Sequence, residues 1–237
     1  MAKNQSFIHG KSTQIHGKSK SAKSMSTILA GESIDYSDAP GSYGLASHRG
    51  IVPDIYRPNG FIEWLGPDIS PDIAPPAVDT YDDGISWTPM QVGQNFDFTY
   101  SATFATDFGC SEEVNVEAWI DYDQNGVFNA GEKVLDRFDR IYSDIAITWC
   151  GVDPSLVPTI ITQSIAVPPD AVSGNTWMRV RLWWADDGNG FGLEEDASPT
   201  GEIQWGEVED YEVTIAPSNL IQNPSFEIDD DTNTIPD

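Results

Sequence analysis

The chain has few basic side chains, and this shortage excludes several classes of partner. Its 237 residues include 12 Lys and Arg against 38 Asp and Glu, which gives a formal net charge of −26. Nucleic acids and anionic membrane surfaces would repel such a protein, so neither is expected as a partner. A strongly acidic surface suits an extracellular environment or sites for divalent cations.

Long apolar runs and familiar catalytic motifs are also missing. No stretch reaches the roughly 18 apolar residues of a transmembrane helix, so we expect no membrane insertion. The sequence contains no G-x-S-x-G, no H-E-x-x-H and no phosphate-binding loop, and His48 is its only histidine beyond the N-terminal segment. We therefore expect a protein that is not an enzyme.

Cysteine is scarce as well, with Cys110 and Cys150 as the only two residues of this type. In an oxidising compartment they would pair and close a long loop, which stabilises a fold by about 3–4 kcal/mol in the chain-entropy model. The alternative is two buried free thiols. We favour the disulfide because the other features of the chain are typical of extracellular proteins.

The N-terminal segment, residues 1–30, differs from the rest of the chain. It carries five lysines and no acidic residue, and its low hydrophobicity predicts a disordered basic arm. Either the arm meets the acidic body of a neighbouring molecule, or it is a flexible leader. No apolar run follows its lysines, so the export route is not visible and export is expected from the folded part alone.

Alternation of apolar and polar residues predicts β-strands in the following 31–217 domain. The pattern covers residues 96–104, 114–120, 178–184 and 211–215, with Gly, Pro, Asn and Asp clusters between them. This arrangement indicates an all-β protein, an antiparallel β-sandwich of the jelly-roll or immunoglobulin-like type. The proline-rich segment 31–90 is expected to form long extended loops, whose aromatic residues either anchor the loops or form a binding platform.

The sharpest local motif lies between two predicted strands, at residues 121–132. It matches the calcium-loop pattern D-x-[DN]-x-[DN]-G-x5-E at every constrained position. Calcium takes six to eight oxygen ligands, and alternate residues of a curled loop present them inward. The candidate ligands are Asp121, Asp123, Asn125, the Val127 carbonyl, Asn129 and a bidentate Glu132. The alternative is an acidic hairpin turn without an ion; other acidic clusters, at 79–83 and 186–196, lack a fixed ligand spacing.

A second acidic motif, Gly206-Glu207-Val208-Glu209-Asp210-Tyr211, opens the last predicted strand. Glu207 and Glu209 share one face of that strand, whereas Asp210 lies on the other. Arg179 and Arg181 share a face of the preceding long strand, and pairing with these carboxylates would satisfy charges near the core. A catalytic carboxylate pair is the alternative, but a structural role is favoured.

Several motifs together resemble the GEVED domain family, which takes its name from residues 206–210. The resemblance covers residues 31–217 and includes Asp35-Tyr36-Ser37-Asp38-Ala39-Pro40, Ser42-Tyr43-Gly44, His48, Asp82-Asp83-Gly84, the 119–126 segment and Arg179-Val180-Arg181. It implies a β-sandwich within large secreted or surface-anchored bacterial proteins, beside adhesin-like, carbohydrate-binding or peptidase domains. Residues 218–237 resemble a linker followed by the opening strand of a galactose-binding-like carbohydrate-binding module.

Three functional hypotheses follow. The leading one is a Ca²⁺-stabilised structural or adhesion module of a secreted or cell-surface protein, with glycans or other surface proteins as partners. The second is a carbohydrate-binding module that uses aromatic residues, especially Trp177, Trp183 and Trp205. The third is a subunit of an extracellular fibre, in which the basic arm docks on an acidic neighbour; the oligomeric state is left open.

Overall fold

The computed structural model describes residues 34–50, 63–67, 69, 81–104, 110–142, 150–184 and 197–218. They form twelve β-strands with short 3-10 turns between some of them. In chain order the strands are β1 Ile34–Tyr36, β2 Ala46–Arg49, β3 Glu63–Leu65, β4 Ile85–Trp87, β5 Met90–Gln91, β6 Asn95–Phe104, β7 Ser111–Ile120, β8 Lys133–Tyr142, β9 Thr159–Ala166, β10 Gly174–Trp184, β11 Gly201–Gln204 and β12 Glu207–Ala216. The prediction of an all-β fold is confirmed.

Two sheets form the sandwich. The larger sheet has the strand order β5-β12-β10-β7-β8, and the smaller one is built around β6. Strands β3 and β4 pair with β6 at successive positions along one edge, while β9 pairs along the other edge from Ala166 to Thr159. The main hydrophobic core lies between these sheets and includes Phe98, Tyr100, Val116, Ile120 and Val180.

The alternating segments form the long strands of this core. Their apolar positions face inward because successive side chains of a strand point to opposite faces. On β10, Met178, Val180 and Leu182 enter the main core, while Arg179 and Arg181 lie on the outer face of the larger sheet. That outer face is therefore polar and carries two buried guanidinium groups.

A small third sheet, of order β1-β2-β11, lies against this outer face. The backbone N–H of Val208 on β12 donates to Asp35 of β1, and Arg181 on β10 donates to the Ser47 carbonyl of β2. A second, smaller core fills the layer and includes Trp119, Phe128, Trp183 and Ile203. The sandwich thus carries a third layer over the polar face of β10 and β12.

Two features differ from the sequence prediction. Most strand pairs are antiparallel as expected, but β2 pairs with β11 and β5 pairs with β12 in parallel. The segment 31–90 also contributes five short strands rather than only extended loops. Its most proline-rich part lies outside the described residues, as do the 1–30 arm and residues 219–237. Within the described part, no helix has the length and apolar character needed to cross a membrane.

Candidate metal centre and acidic motif

The acidic loop, residues 121–132, connects β7 to β8 and is fixed at its start. The pairing of β7 with β8 is irregular at Ala118 and Trp119, immediately before the loop. Asp121 is then held by β10 through its backbone, because its N–H donates to the Trp177 carbonyl at 3.1 Å and its carbonyl accepts from Thr176 Oγ1 at 2.6 Å. A loop anchored in this way presents its side chains in one defined arrangement.

Three carboxylates of the acidic loop converge. Asp121, Asp123 and Glu132 each offer an oxygen, and these oxygens lie within 4.8 Å of one another. Asp121 is completely buried and Glu132 is 7% exposed, whereas Asp123 is open to solvent. Three like charges this close repel one another unless a cation or a proton lies between them.

The hydrogen bonds of this cluster come from neutral groups. Asp121 accepts from the N–H of Gly126 at 2.9 Å, and Glu132 accepts from the N–H of Tyr122 at 2.8 Å and of Asn129 at 2.7 Å. Burial raises the pKa of Glu132, although these backbone donors oppose the rise. The loop therefore gathers negative charge and supplies only dipoles to offset it.

The other predicted ligands lie in the same turn. Asn125 donates from its amide to Asp123 at 2.9 Å, and its Oδ1 accepts from the Val127 N–H at 2.9 Å. Gly126 has a φ of +85°, a left-handed conformation that glycine adopts without a Cβ penalty. The donor set consists of oxygen atoms alone, the type that hard cations such as Ca²⁺ prefer, and its three carboxylates converge.

Tyr43 supports the loop from outside; the sequence placed it among the aromatic residues of 31–90 but did not connect it with the acidic loop. Its hydroxyl donates to Asp121 Oδ2 at 2.7 Å, and its ring packs against Phe128 with centroids 4.8 Å apart. Burial, together with the hydrogen bond to Asp121, raises the pKa of Tyr43 to about 12. The hydroxyl consequently stays protonated and holds the Asp121 carboxylate in place.

A cleft of about 260 Å³ opens beside the acidic loop. Its walls combine loop residues with the turn between β9 and β10: Tyr122, Asp123, Asn129, Gly131, Glu132, Pro168, Asp170 and Ala171. Two of the three convergent carboxylates, Asp123 and Glu132, thus line a space that opens to solvent.

The motif strand, β12, uses its carboxylates differently. Glu207 accepts from the N–H of Leu65 on β3 at 2.6 Å, and Glu209 accepts from the N–H of Gly84 at 2.9 Å. Glu209 also accepts from the Tyr211 hydroxyl at 3.0 Å. Both glutamates are completely buried, and burial raises the pKa of Glu209 to about 8 despite these donors. They fasten short elements of the smaller sheet to the larger one.

The arginines on β10 take different partners. Arg179 forms a bidentate pair with Asp210, with Nε–Oδ1 at 2.7 Å and Nη2–Oδ2 at 2.8 Å, and both side chains are buried. Asp210 also accepts from the Ala39 N–H at 2.8 Å. Arg181 differs from the expectation of carboxylate pairing, because it donates to backbone carbonyls, including those of Ser47 and Ser198, and to His48.

His48 connects the third sheet to Trp205, the residue before the glycine that opens the motif. Its Nε2 accepts from Arg181 Nε at 3.0 Å, and its Nδ1 lies 2.5 Å from the Trp205 carbonyl. Complete burial and the neighbouring guanidinium hold the pKa of His48 well below its usual value. The ring is therefore neutral at physiological pH, with the proton on Nδ1 donated to Trp205.

Gly206 is required where the chain turns into β12. Its φ is +81°, and a Cβ at this position would overlap the carbonyl oxygen of Leu182 and approach the Trp183 Cα. The first residue of the motif is glycine because the backbone of β10 passes directly against it.

The two cysteines are paired, and the three candidate tryptophans differ in burial. Cys110 and Cys150 form a disulfide with their Cα atoms 6.2 Å apart. Trp183 is completely buried in the second core, so it is not available to a glycan. Trp177 and Trp205 are half-buried, and Trp205 packs on Trp184 with centroids 5.0 Å apart. The acidic cluster at 186–196, Asp79 and the 219–227 strand lie outside the described residues.

Comparison with known families places most of these features in one module. Residues 115–214 match the model of the GEVED domain, from within β7 to within β12. A search of curated proteins finds no match to the chain. The matched segment contains the acidic loop, both arginines and the 206–210 motif.

Proposed function

We propose that this GEVED domain is a structural or adhesion module of a secreted or cell-surface protein, and that its acidic loop holds a Ca²⁺ ion. The observation that carries the proposal is the convergence of three carboxylates whose hydrogen-bond partners are all neutral. Bringing the three carboxylates together raises the electrostatic free energy of the fold. A bound divalent cation would attract all three and is the simplest species that would lower it.

In this proposal the side chains of Asp121, Asp123 and Asn125 and the carbonyl of Val127 contribute oxygens to the ion. Asn129 contributes directly or through water, and Glu132 binds through both oxygens. The ion would tie the end of β7 to the start of β8, and Tyr43 would hold Asp121 in its ligand orientation. Strands flank the loop on both sides, so the ion would rigidify the sandwich rather than switch it.

A thermal unfolding experiment tests the calcium site. At a Ca²⁺ concentration about 100-fold above its Kd, a ligand that binds only the folded state adds about 2.7 kcal/mol. For a domain of this size that corresponds to a rise in Tm of about 5–10 °C relative to protein in chelator. Glu132→Gln should lose most of this rise, because it removes the bidentate carboxylate.

Glu212→Gln is the matched control, since Glu212 is an exposed glutamate on β12. It should keep the full calcium response. A wild-type Tm that does not change at millimolar Ca²⁺ would contradict the calcium site, as would an equal response in both variants.

The extracellular location is part of the same proposal. The Cys110–Cys150 disulfide and the strong negative charge support it, because disulfides persist in oxidising compartments. Protease treatment of intact source cells provides the test. Loss of the domain from intact cells, or its recovery in the medium, is expected; complete protection until lysis would contradict an exposed location.

A structural role is proposed over catalysis because the charged groups of the motif strand already hold the fold together. Arg179, Glu207 and Glu209 are buried and bound to other elements. A catalytic group needs access to a substrate, which these three lack.

Carbohydrate binding is the second candidate, favoured by the half-buried pair of Trp184 and Trp205. Aromatic faces of this kind pack against sugar rings. A glycan array with wild type and Trp205→Ala tests it, with Trp87→Ala, a half-buried tryptophan on β4, as the control. Binding that depends on Trp205 but not on Trp87 would support this function, and no binding by wild type would eliminate it.

A further inference from the structure

Among the described strands, β9 is an edge of the smaller sheet, and its burial pattern is that of an edge strand. Within the described residues β9 pairs with β6 alone. Tyr100 and Phe98 of β6 are completely buried, but their neighbours Ile161 and Gln163 on β9, which face the same way, are only half-buried. Burial falls off from β6 to β9, as expected where no further strand of the described residues covers the side.

The composition of β9 sets it apart from the rest of this acidic molecule. Its sequence from Thr159 to Ala166 is TIITQSIA, without a charged residue or a proline. Among the described strands of eight residues or more, β9 alone has no charged side chain. Ile160, on the outer face, is 64% exposed, more than any other large apolar side chain of the described residues.

The edge strand of the larger sheet, β8, provides the contrast. It carries five charged residues in ten, and Arg137 and Asp139 form an ion pair in the row that also contains the buried Leu135 and Ile141. Inward-pointing charges on an edge strand prevent another strand from adding to it. Strand β8 has this protection, whereas β9 lacks it.

We propose that β9 is a self-association edge, at which a second copy of this chain adds its own β9 in antiparallel orientation. An open edge offers N–H and C=O groups to any extended strand. The absence of charge favours a second copy as the occupant, because two bodies of net charge −26 approach with least repulsion along a strip without carboxylates.

A two-fold axis through Thr162 satisfies the pairing geometry. It places Ile160 opposite Ser164 and Ile161 opposite Gln163 of the other copy, so exposed residues align with exposed residues. Pro158 and Pro168 flank the strand closely and confine the pairing to β9 itself. The two smaller sheets would then become one continuous sheet.

The response to salt distinguishes this mode from docking of the basic arm on a neighbour. Screening acts over about 10 Å at 0.1 M salt and about 3 Å at 1 M, so added salt reduces repulsion between acidic bodies. Association through β9 should therefore strengthen with salt. Association of the lysine-rich arm with an acidic surface should weaken with salt and disappear when residues 1–30 are deleted.

Sedimentation equilibrium of the full chain at 0.1 M and 0.5 M NaCl tests the proposal. Wild type should self-associate more tightly at the higher salt, and Thr162→Asp should weaken association severalfold, because it places like charges opposite each other. Thr214→Asp on β12 is the matched control, since Thr214 is also an exposed strand threonine with one hydroxyl hydrogen bond, and it should behave as wild type.

Crosslinking gives a second readout that does not depend on the charge change. Thr162→Cys should form a disulfide-linked dimer under mild oxidation, while Thr214→Cys should remain monomeric. A wild-type protein that stays monomeric at both salt concentrations would overturn the proposal. Equal behaviour of the two aspartate variants, or of the two cysteine variants, would overturn it as well.

Discussion

In the acidic loop, the carboxylates of Asp121, Asp123 and Glu132 lie together, and only N–H and hydroxyl groups bind them. In the motif strand, Glu207, Glu209 and Asp210 turn to three different elements of the fold. Dispersed carboxylates are satisfied one at a time by backbone donors or by an arginine. Convergent carboxylates concentrate charge that the protein itself does not offset, and this favours an added cation.

The comparison also explains why two acidic motifs in one chain serve different purposes. Glu207 and Glu209 are separated by one residue; Glu207 reaches the backbone of β3, and Glu209 reaches the backbone of Gly84, directly before β4. The acidic loop curls on itself, so its carboxylates reach one another first. The same residue type therefore fastens the fold in one region and gathers charge in the other.

Removal of the guanidinium opposite Asp210 should have the largest effect on stability. Arg179→Met leaves the Asp210 carboxylate buried without its cation, which costs about 3–5 kcal/mol in comparable buried pairs. Chemical denaturation measures the change, and Arg179→Met/Asp210→Asn should recover part of it. The Ca²⁺-dependent rise in Tm should survive in any folded variant, since Arg179 is not part of the loop. A loss under about 1 kcal/mol would contradict the role of the pair.

The glycines of the two regions should respond unequally to substitution. Gly206 and Gly126 have φ values of +81° and +85°, so alanine introduces similar backbone strain at either site. A Cβ at Gly206 would also overlap backbone atoms of β10, whereas at Gly126 it would meet Ser42 Oγ at 3.2 Å, a side-chain atom that can move. Strain alone costs about 1–2 kcal/mol, so Gly206→Ala should exceed Gly126→Ala in a denaturant titration. Equal losses would show that the close approach to β10 relaxes.

Much of this contrast was visible in the sequence, but only where the pattern is local. Period-two alternation predicted the strands at 96–104 and 178–184, and the spacing from Asp121 to Glu132 predicted a loop that brings its acidic residues together. The opposite faces of Glu209 and Asp210 also followed from alternation.

What the sequence reasoning missed depends on contacts between distant segments. The third sheet is made of strands of three or four residues, and the parallel pairing of β2 with β11 joins segments about 150 residues apart. Its position over β10 explains why Trp183 is buried rather than exposed, and why Arg181 binds backbone carbonyls and His48 instead of a carboxylate. No local pattern indicates such a cover.

The stability of the domain should depend on pH through His48. Because burial lowers the pKa of His48 in the folded state, the unfolded chain takes up the proton first as the pH falls below about 6.5. The stability that depends on neutral His48 is present above that pH and is lost as the pH falls towards the folded-state pKa. Thermal unfolding from pH 7 to pH 5 should therefore show a loss for wild type relative to His48→Gln, whose side chain does not titrate. Parallel profiles would contradict a buried neutral histidine.

A Glu→Gln substitution in each region should remove most of the calcium response in the acidic loop but not in the motif strand. This pair of variants tests the comparison directly. Burial raises the pKa of Glu209 to about 8, so the folded state holds a proton there that the unfolded state releases above about 4.5. The stability that this proton provides is present below about pH 4.5 and is lost as the pH rises through 8. Glu209→Gln keeps an acceptor oxygen for the Gly84 N–H and does not titrate, so it should lose less stability than wild type between pH 5 and pH 8, and it should keep a full calcium response. Glu132→Gln should instead lose most of that response, because the loop needs its charge whereas the motif strand needs only hydrogen-bond partners. If Glu209→Gln also removed the calcium response, the two regions would not act separately and the contrast between convergent and dispersed carboxylates would fail.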